Sequence, residues 1–205
     1  KNKVIFIYPE QGHGDFIHCY RYVALLKNFH PKKIILEVTE PFYKLISTQD
    51  PEIEVIGPNI QPSKFDFYSP IMSLPLAFKT EISNVPNKCP YLLTNLNKNK
   101  IWEKKFKNYK QLRVGLCWSG NPLHKNNHNR SMSLEDFYEL ISLPFEYHSL
   151  QKGMTHEEQK LIKNSDVIDH QDSLKDFSDT ASLIKMMDVV ISVDTVIAHL
   201  AAALG

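Results

Sequence analysis

VIFIYPEQGHGDFIHCYRYVALLKNF, residues 4–29, decides the fold. Val4 to Tyr8 is an unbroken apolar run, the pattern of a strand buried on both faces. From Asp15 to Asn28 the apolar residues Phe16, Cys19, Tyr20, Val23 and Leu26 recur at helical spacing. Between strand and helix stand Gly12-His13-Gly14-Asp15, where an ordinary turn needs one glycine at most. The glycines let the backbone approach another group closely. The start of the helix offers free N–H groups and the positive end of its dipole. Two readings stay open: Asp15 caps its helix over a tight turn, or the loop lines a ligand cleft with Asp15 as a carboxylate at its edge.

The same alternation runs outward from this stretch. Lys33 to Val38 reads as a second strand, Pro41 to Ser47 as a helix with proline in its first turn, and Glu54 to Ile56 as a short strand. Phe65 to Met72 leads into a short helical candidate, SLPLAF. Prolines and asparagines interrupt the pattern from Ser83 to Asn99, and IWEKKFKNYK reads as a helix leading into the next strand. Then the alternation restarts. Leu112 to Trp118 is a strand, Ser133 opens a helix with Asp136 as its capping-box partner, and FEYHSLQ is a strand. Glu157 to Lys163 is helical, DVIDH a short strand, Ser178 to Met187 a helix, DVVISV a buried strand and Asp194 to Leu204 a last helix. Repeated βα units imply parallel sheets with right-handed crossovers. The expected class is therefore α/β, with two Rossmann-like domains facing a cleft. The boundaries expected are 1–98 for the first domain, 99–110 for a linker and 111–205 for the second, read as incomplete because no strand follows the last helix.

Composition narrows the function. The 205 residues are 42% hydrophobic and 11% aromatic, enough for a packed core. A net charge of +1 gives no general reason to expect nucleic acid or an anionic membrane as partner. No apolar run approaches the roughly 20 residues that span a bilayer. Cys19, Cys89 and Cys117 are odd in number and widely spaced, which suggests a reduced, cytoplasmic setting.

Three stretches carry candidate chemistry. Besides the opening motif, the loop WSGNPLHKNNHNRS (118–131) far exceeds the about 2–6 residues usual for a βα connection. His124 and His128 lack an acidic companion, so no metal is expected. Arg130 offers a rigid fork of donors for phosphate, beside the helix start at Ser133. In ISVDTVIAHLAAALG, Asp194 can cap, the N–H groups of Thr195 and Val196 suit a diphosphate, and His199 sits one turn further, in reach of a sugar hydroxyl. A dinucleotide site is the competing idea for the opening motif. Gly12-x-Gly14 follows a strand and Glu37 ends the next, but Ile17 stands where the third glycine belongs.

Taken in order, GHGDFIHCYRYVALLK, SPIMSLPLAF, RVGLCWSGNPLHKNNHNRSMSLEDF, SLQKG, DFSDTASLI and DVVISVDTVIAHLAAALG cover nearly the whole chain. Together they resemble the GT-B glycosyltransferases related to bacterial lipopolysaccharide heptosyltransferases, in the form found behind tetratricopeptide repeats. The resemblance implies a domain that transfers a sugar from a nucleotide-diphosphate sugar to an acceptor hydroxyl on a glycan, lipid or protein. It implies inverting displacement with no metal and no cofactor, the donor being a substrate. Asp15 then matches the base and Arg130 the cation facing the donor phosphates. Thr195 and Val196, with Asp194 before them, match the diphosphate-binding helix start, His199 the ribose side, and Gln151 and Lys152 the nucleobase side. Gly12 and Gly14 join the donor-binding set. His13 stands where leucine is usual. The alternative on the same residues is a non-catalytic relative that binds a nucleotide sugar or serves as an interaction module.

Overall fold

The computed structural model describes residues 2–10, 12–107 and 111–205. The chain divides into two units, each an α/β structure: Lys1–Leu93 with Ala202–Gly205, and Thr94–Ala201.

In the first unit β1 (Val4–Tyr8), β2 (Lys33–Glu37), β3 (Ile53–Ile56) and β4 (Phe67–Pro70) form a parallel sheet in the order β3-β2-β1-β4. Phe6 pairs with Ile35 on one side and Tyr68 on the other. The apolar runs are buried on both faces: Ile7, Ile35 and Leu36 are inaccessible to solvent. Helix α1 (His13–Tyr20) buries Phe16 and Ile17, and α2 (Glu40–Ile46) buries Phe42, Leu45 and Ile46. The rings of Phe16 and Phe42 stack at 5.1 Å. Strand β4 was not anticipated in the sequence because it is short, ends in proline and pairs on one side only. The connection from β3 to β4 contains no helix. Aromatic rings stand on that side instead, Phe65 against Phe6 at 5.2 Å and Tyr68 against Tyr8 at 6.4 Å.

The helix expected from Asp15 to Asn28 is interrupted. After α1 the chain tightens into i to i+3 hydrogen bonds, Tyr22 N to Cys19 O and Val23 N to Tyr20 O, and continues as a 3-10 helix over Ala24–Phe29. The tighter turn buries Tyr20, Tyr22, Val23 and Leu26 together. Arg21, at the turn, donates to Pro86 O at 3.0 Å and lies over the Tyr91 ring. A short helix α3 (Leu74–Ala77) follows β4. Tyr91 N and Leu92 N both donate to Ala203 O, which ties the last residues of the chain to this unit.

The second unit repeats the plan. Strands β5 (Arg113–Cys117), β6 (Glu146–Ser149), β7 (Val167–Ile168) and β8 (Val189–Ser192) run parallel in the order β7-β6-β5-β8. Residues 99–106, expected as part of a linker, belong to helix α4 (Leu96–Phe106) of this unit, and 108–110 lie outside the described residues. Lys98 of α4 bridges Asp176 at 3.0 Å and Asp179 at 2.6 Å, at the start of α7 (Phe177–Ile184). Between them come α5 (Tyr138–Ile141), preceded by a 3-10 turn with the expected Ser133–Asp136 capping box, and α6 (His156–Lys163). The last helix is α8 (Val196–Leu204). Val114, Leu116, Trp118, Phe137 and Tyr147 share one core. The segment DVVISV, expected as a buried strand, is β8 at the sheet edge, and its Val189 is 49% exposed.

Beneath α4 lies a buried polar row. His148 Nδ1 is 3.0 Å from His170 Nε2, and His148 Nε2 is 3.1 Å from Glu146 Oε1. Trp102 and Phe106 pack edge-on against these imidazoles. Burial holds His148 down to about 3, helped by His170 and Arg113; burial and Lys105 hold His170 down to about 4, against Asp169. An unfolded histidine titrates near 6.5. The folded values lie below that, so the unfolded chain takes up protons first. The stability that depends on neutral imidazoles is complete above about pH 6.5 and drains away toward pH 4. Melting temperature should therefore fall between pH 7 and pH 5, and His170→Gln should flatten that fall. An unchanged slope in the variant would exclude the pair as its source.

Candidate functional site

In an open parallel sheet the ligand crevice lies beyond the carboxyl ends of the strands where the strand order reverses. Both sheets place that point between the first and fourth strands: β1 and β4 in one unit, β5 and β8 in the other.

In the first unit β1 ends at Tyr8 and Gly12 adopts φ +97°, a conformation in which side chains are strained. A Cβ there would lie 2.1 Å from Asp15 Oδ2, so the glycine makes room for the carboxylate folded back over it. Gly14 lies inside α1 rather than in the turn, so the motif is one glycine bend followed by helix. Asp15 is the third helical residue, exposed, beside the helix dipole's positive end. Across the switch point, Glu10 accepts from Met72 N at 3.2 Å and joins the loops after β1 and β4. His13 meets Phe42 edge-on at 5.2 Å, and burial lowers its pKa, so its imidazole is neutral near pH 7. The dinucleotide reading fares poorly. The Asp15 carboxylate stands where a pyrophosphate would approach, and Ile17 packs fully buried where the third glycine would be.

The second unit gathers more of the expected residues. Gln151 follows β6 and is buried. Its carboxamide oxygen accepts from Ser119 N at 3.1 Å and from the Cys117 thiol at 3.3 Å. The Cys117 sulfur is 3.7 Å from Thr195 Oγ1, which is 3.2 Å from Ser192 Oγ. A buried polar chain thus runs across the carboxyl ends of β6, β5 and β8. Burial pushes the Cys117 thiol up, keeping it protonated and able to donate.

Thr195 closes the chain as the cap of α8: its hydroxyl accepts from Ile197 N at 3.3 Å. Asp194, expected as the cap, instead has an exposed side chain. The N–H groups of Thr195 and Val196 have no acceptor within the helix and mark its anion-attracting end. His199 lies half-buried one turn along. Gln151 is engaged by its own loops, and Lys152 is exposed and donates to Lys175 O at 3.2 Å.

The long loop after β5 is tied shut at its base. Met132 N donates to Trp118 O at 2.8 Å, and Gly120 N donates to Ser131 Oγ at 3.1 Å. This brings Arg130 back onto Gly120, where a Cβ would lie 2.8 Å from its Nε and Nη2. Arg130 is half-buried and, among the described residues, has no carboxylate partner. His124 and His128 lie in the exposed part of the loop, with His124 Nδ1 accepting from Asn126 N. Among the described residues no cluster of His, Cys, Asp or Glu is arranged to hold a metal ion.

Sequence reasoning missed Cys117, Ser119, Ser131 and Ser192 as members of this assembly. Part of the signal was available: Cys117 and Ser192 are small polar residues that end neighbouring strands.

Comparison with solved structures gives this architecture a class. The chain superposes on the ADP-heptose LPS heptosyltransferase II of E. coli with a TM-score of 0.68, at 13% identity, over 98% of this chain and 82% of that one. A glycosyl transferase family 9 structure from Veillonella parvula gives 0.71 at 11% identity, covering 99% and 79%. The E. coli heptosyltransferase WaaC with ADP-2-deoxy-2-fluoro heptose gives 0.61 at 12%, covering 98% and 86%. The chain shares their fold, two α/β units with parallel sheets, as expected for the GT-B class. No protein-family model matches the sequence, and no curated protein sequence matches it significantly.

If Gln151 clamps the strand ends, Gln151→Leu strands the Ser119 N–H and the thiol without an acceptor. It should lower unfolding free energy by roughly 1–3 kcal/mol in urea titrations. A variant as stable as the parent would show that water replaces the amide.

Proposed function

We propose that the chain is a glycosyltransferase domain that takes a sugar from a nucleotide-diphosphate donor and places it on an acceptor hydroxyl. The observation that carries this reading is Arg130: a half-buried guanidinium with no carboxylate partner among the described residues, on the loop that follows β5 at the switch point of the second sheet. Glycosyl transfer from such a donor leaves a nucleoside diphosphate, and the transition state gathers negative charge on it. Fixed donors meet that charge without reorganising, and here they are the Arg130 fork and the start of α8. The solved structures of the same fold support the choice of donor, since one is an ADP-heptose transferase and another holds an ADP-sugar analogue.

Asp15 is the candidate base. It is an exposed carboxylate at the switch point of the first sheet, suited to accept the proton of an acceptor hydroxyl as it attacks the anomeric carbon. Attack opposite the departing diphosphate inverts the configuration there. No step in this scheme calls for a metal or a cofactor. The acceptor is a glycan, lipid or protein hydroxyl. Cys19, Cys89 and Cys117 are free thiols, which fits a reducing, cytoplasmic setting. No helix of the described residues is long and apolar enough to cross a membrane. A tetratricopeptide array in the full-length protein belongs to the same proposal.

Calorimetric titration with ADP, GDP and UDP tests the donor site. At least one should bind, and Arg130→Ala should weaken it roughly 10- to 100-fold, the loss of about 1.5–3 kcal/mol expected for hydrogen bonds to a charged group. Equal binding by both proteins removes Arg130 from the site. Asp15→Asn should cut turnover of the matching nucleotide sugar by roughly 100- to 10,000-fold and leave nucleotide affinity unchanged. Binding without turnover in the parent protein would support the non-catalytic alternative.

A further inference from the structure

We infer that Asn127 is a positioning residue which, with Gly120 as its floor, fixes the direction of the Arg130 guanidinium. The inference rests on the reading of Arg130 as the diphosphate ligand. Asn127 opens the 3-10 turn Asn127–Asn129, and its carbonyl accepts from both Arg130 N at 3.2 Å and Ser131 N at 2.9 Å. Its side-chain oxygen accepts from Arg130 Nε at 3.4 Å, a long hydrogen bond. One residue therefore holds the arginine at its backbone and at the inner edge of its guanidinium. The third side is closed by Gly120: a Cβ there would lie 2.6 Å from Asn127 Oδ1 and 2.8 Å from Arg130 Nε and Nη2. Gly120 is itself pinned, its N–H donating to Ser131 Oγ at 3.1 Å.

With Nε committed to Asn127 and Nη2 packed against Gly120, the guanidinium is held in one orientation over the base of its own loop. An arginine on a mobile polar loop spreads over many rotamers, and a ligand must overcome that entropy on binding. Asn127 removes part of that cost beforehand and leaves the guanidinium charge unneutralised, because an amide orients it without competing for it. An aspartate at the same place would orient it and also neutralise it.

Nitrogen-15 NMR of the Arg130 side chain tests the positioning directly, without nucleotide. In the parent the Arg130 Nε–H should be a resolved signal with slowed solvent exchange, and Asn127→Ala and Gly120→Ala should bring it to the exchange of an exposed arginine. Nucleotide titration then tests the consequence. Asn127→Ala should weaken nucleoside diphosphate binding roughly 3- to 10-fold, Asn127→Asp more, with the ligand-free melting temperature nearly unchanged in both. Combined with Arg130→Ala, Asn127→Ala should cost nothing further, since it acts through the arginine. Free exchange of the parent Nε–H, or additive losses in the double variant, would overturn the inference. If no nucleotide binds the parent while the Nε–H is held as described, the diphosphate reading fails and the positioning stands.

Discussion

The amide oxygen of Gln151 is the acceptor on which the second unit's crevice depends. Two strands end beside it, and it receives a backbone N–H from one loop and a thiol from the strand before that loop. In a buried place each donor would otherwise carry the full cost of lost hydration. From that one atom the order spreads through Cys117 to Thr195 and so to the first turn of α8. The helix start, the loop after β5 and the end of β6 are thereby fixed relative to one another. The side chain that the sequence resemblance places beside a nucleobase is spent largely on this framework.

A different constraint governs the first unit. Gly12 and Asp15 exclude alternatives to each other: the glycine is required because the carboxylate folds over it, and the carboxylate can fold there because no side chain intervenes. The result is a carboxylate held in the first turn of a helix, over a glycine bend. The two switch points are therefore built differently although their strand orders match.

This contrast also explains what could be read from sequence. Runs such as Val4–Tyr8 and Lys33–Val38 announce strands because burial on both faces leaves no room for polar residues. Capping pairs such as Ser133–Asp136 announce helix starts because both partners lie within four residues. Arg130 stood out as a cation on an unusually long loop just before a helix start. Strand β4 was not legible, since a short edge strand has only one partner and no periodicity to display. The turn after α1 was not legible either, because Cys19, Tyr22, Val23 and Leu26 keep helical spacing straight through it. The role of Gln151 was invisible for a related reason. Its partners, Cys117 and Ser119, lie more than thirty positions away, and only the sheet brings them near.

Glu158 shows how such economy shapes the whole second unit. One oxygen accepts from the backbone of Thr155 at 2.7 Å and closes the cap of α6, while the other accepts from the indole of Trp118 at 2.8 Å. A single carboxylate is both the latch of a surface helix and the anchor of the largest ring in the core. Fraying at the start of α6 takes the acceptor away from the Trp118 indole, and the backbone carbonyl of Trp118 accepts from Met132 N at the base of the Arg130 loop. One shared side chain thereby couples the start of α6 to the loop after β5.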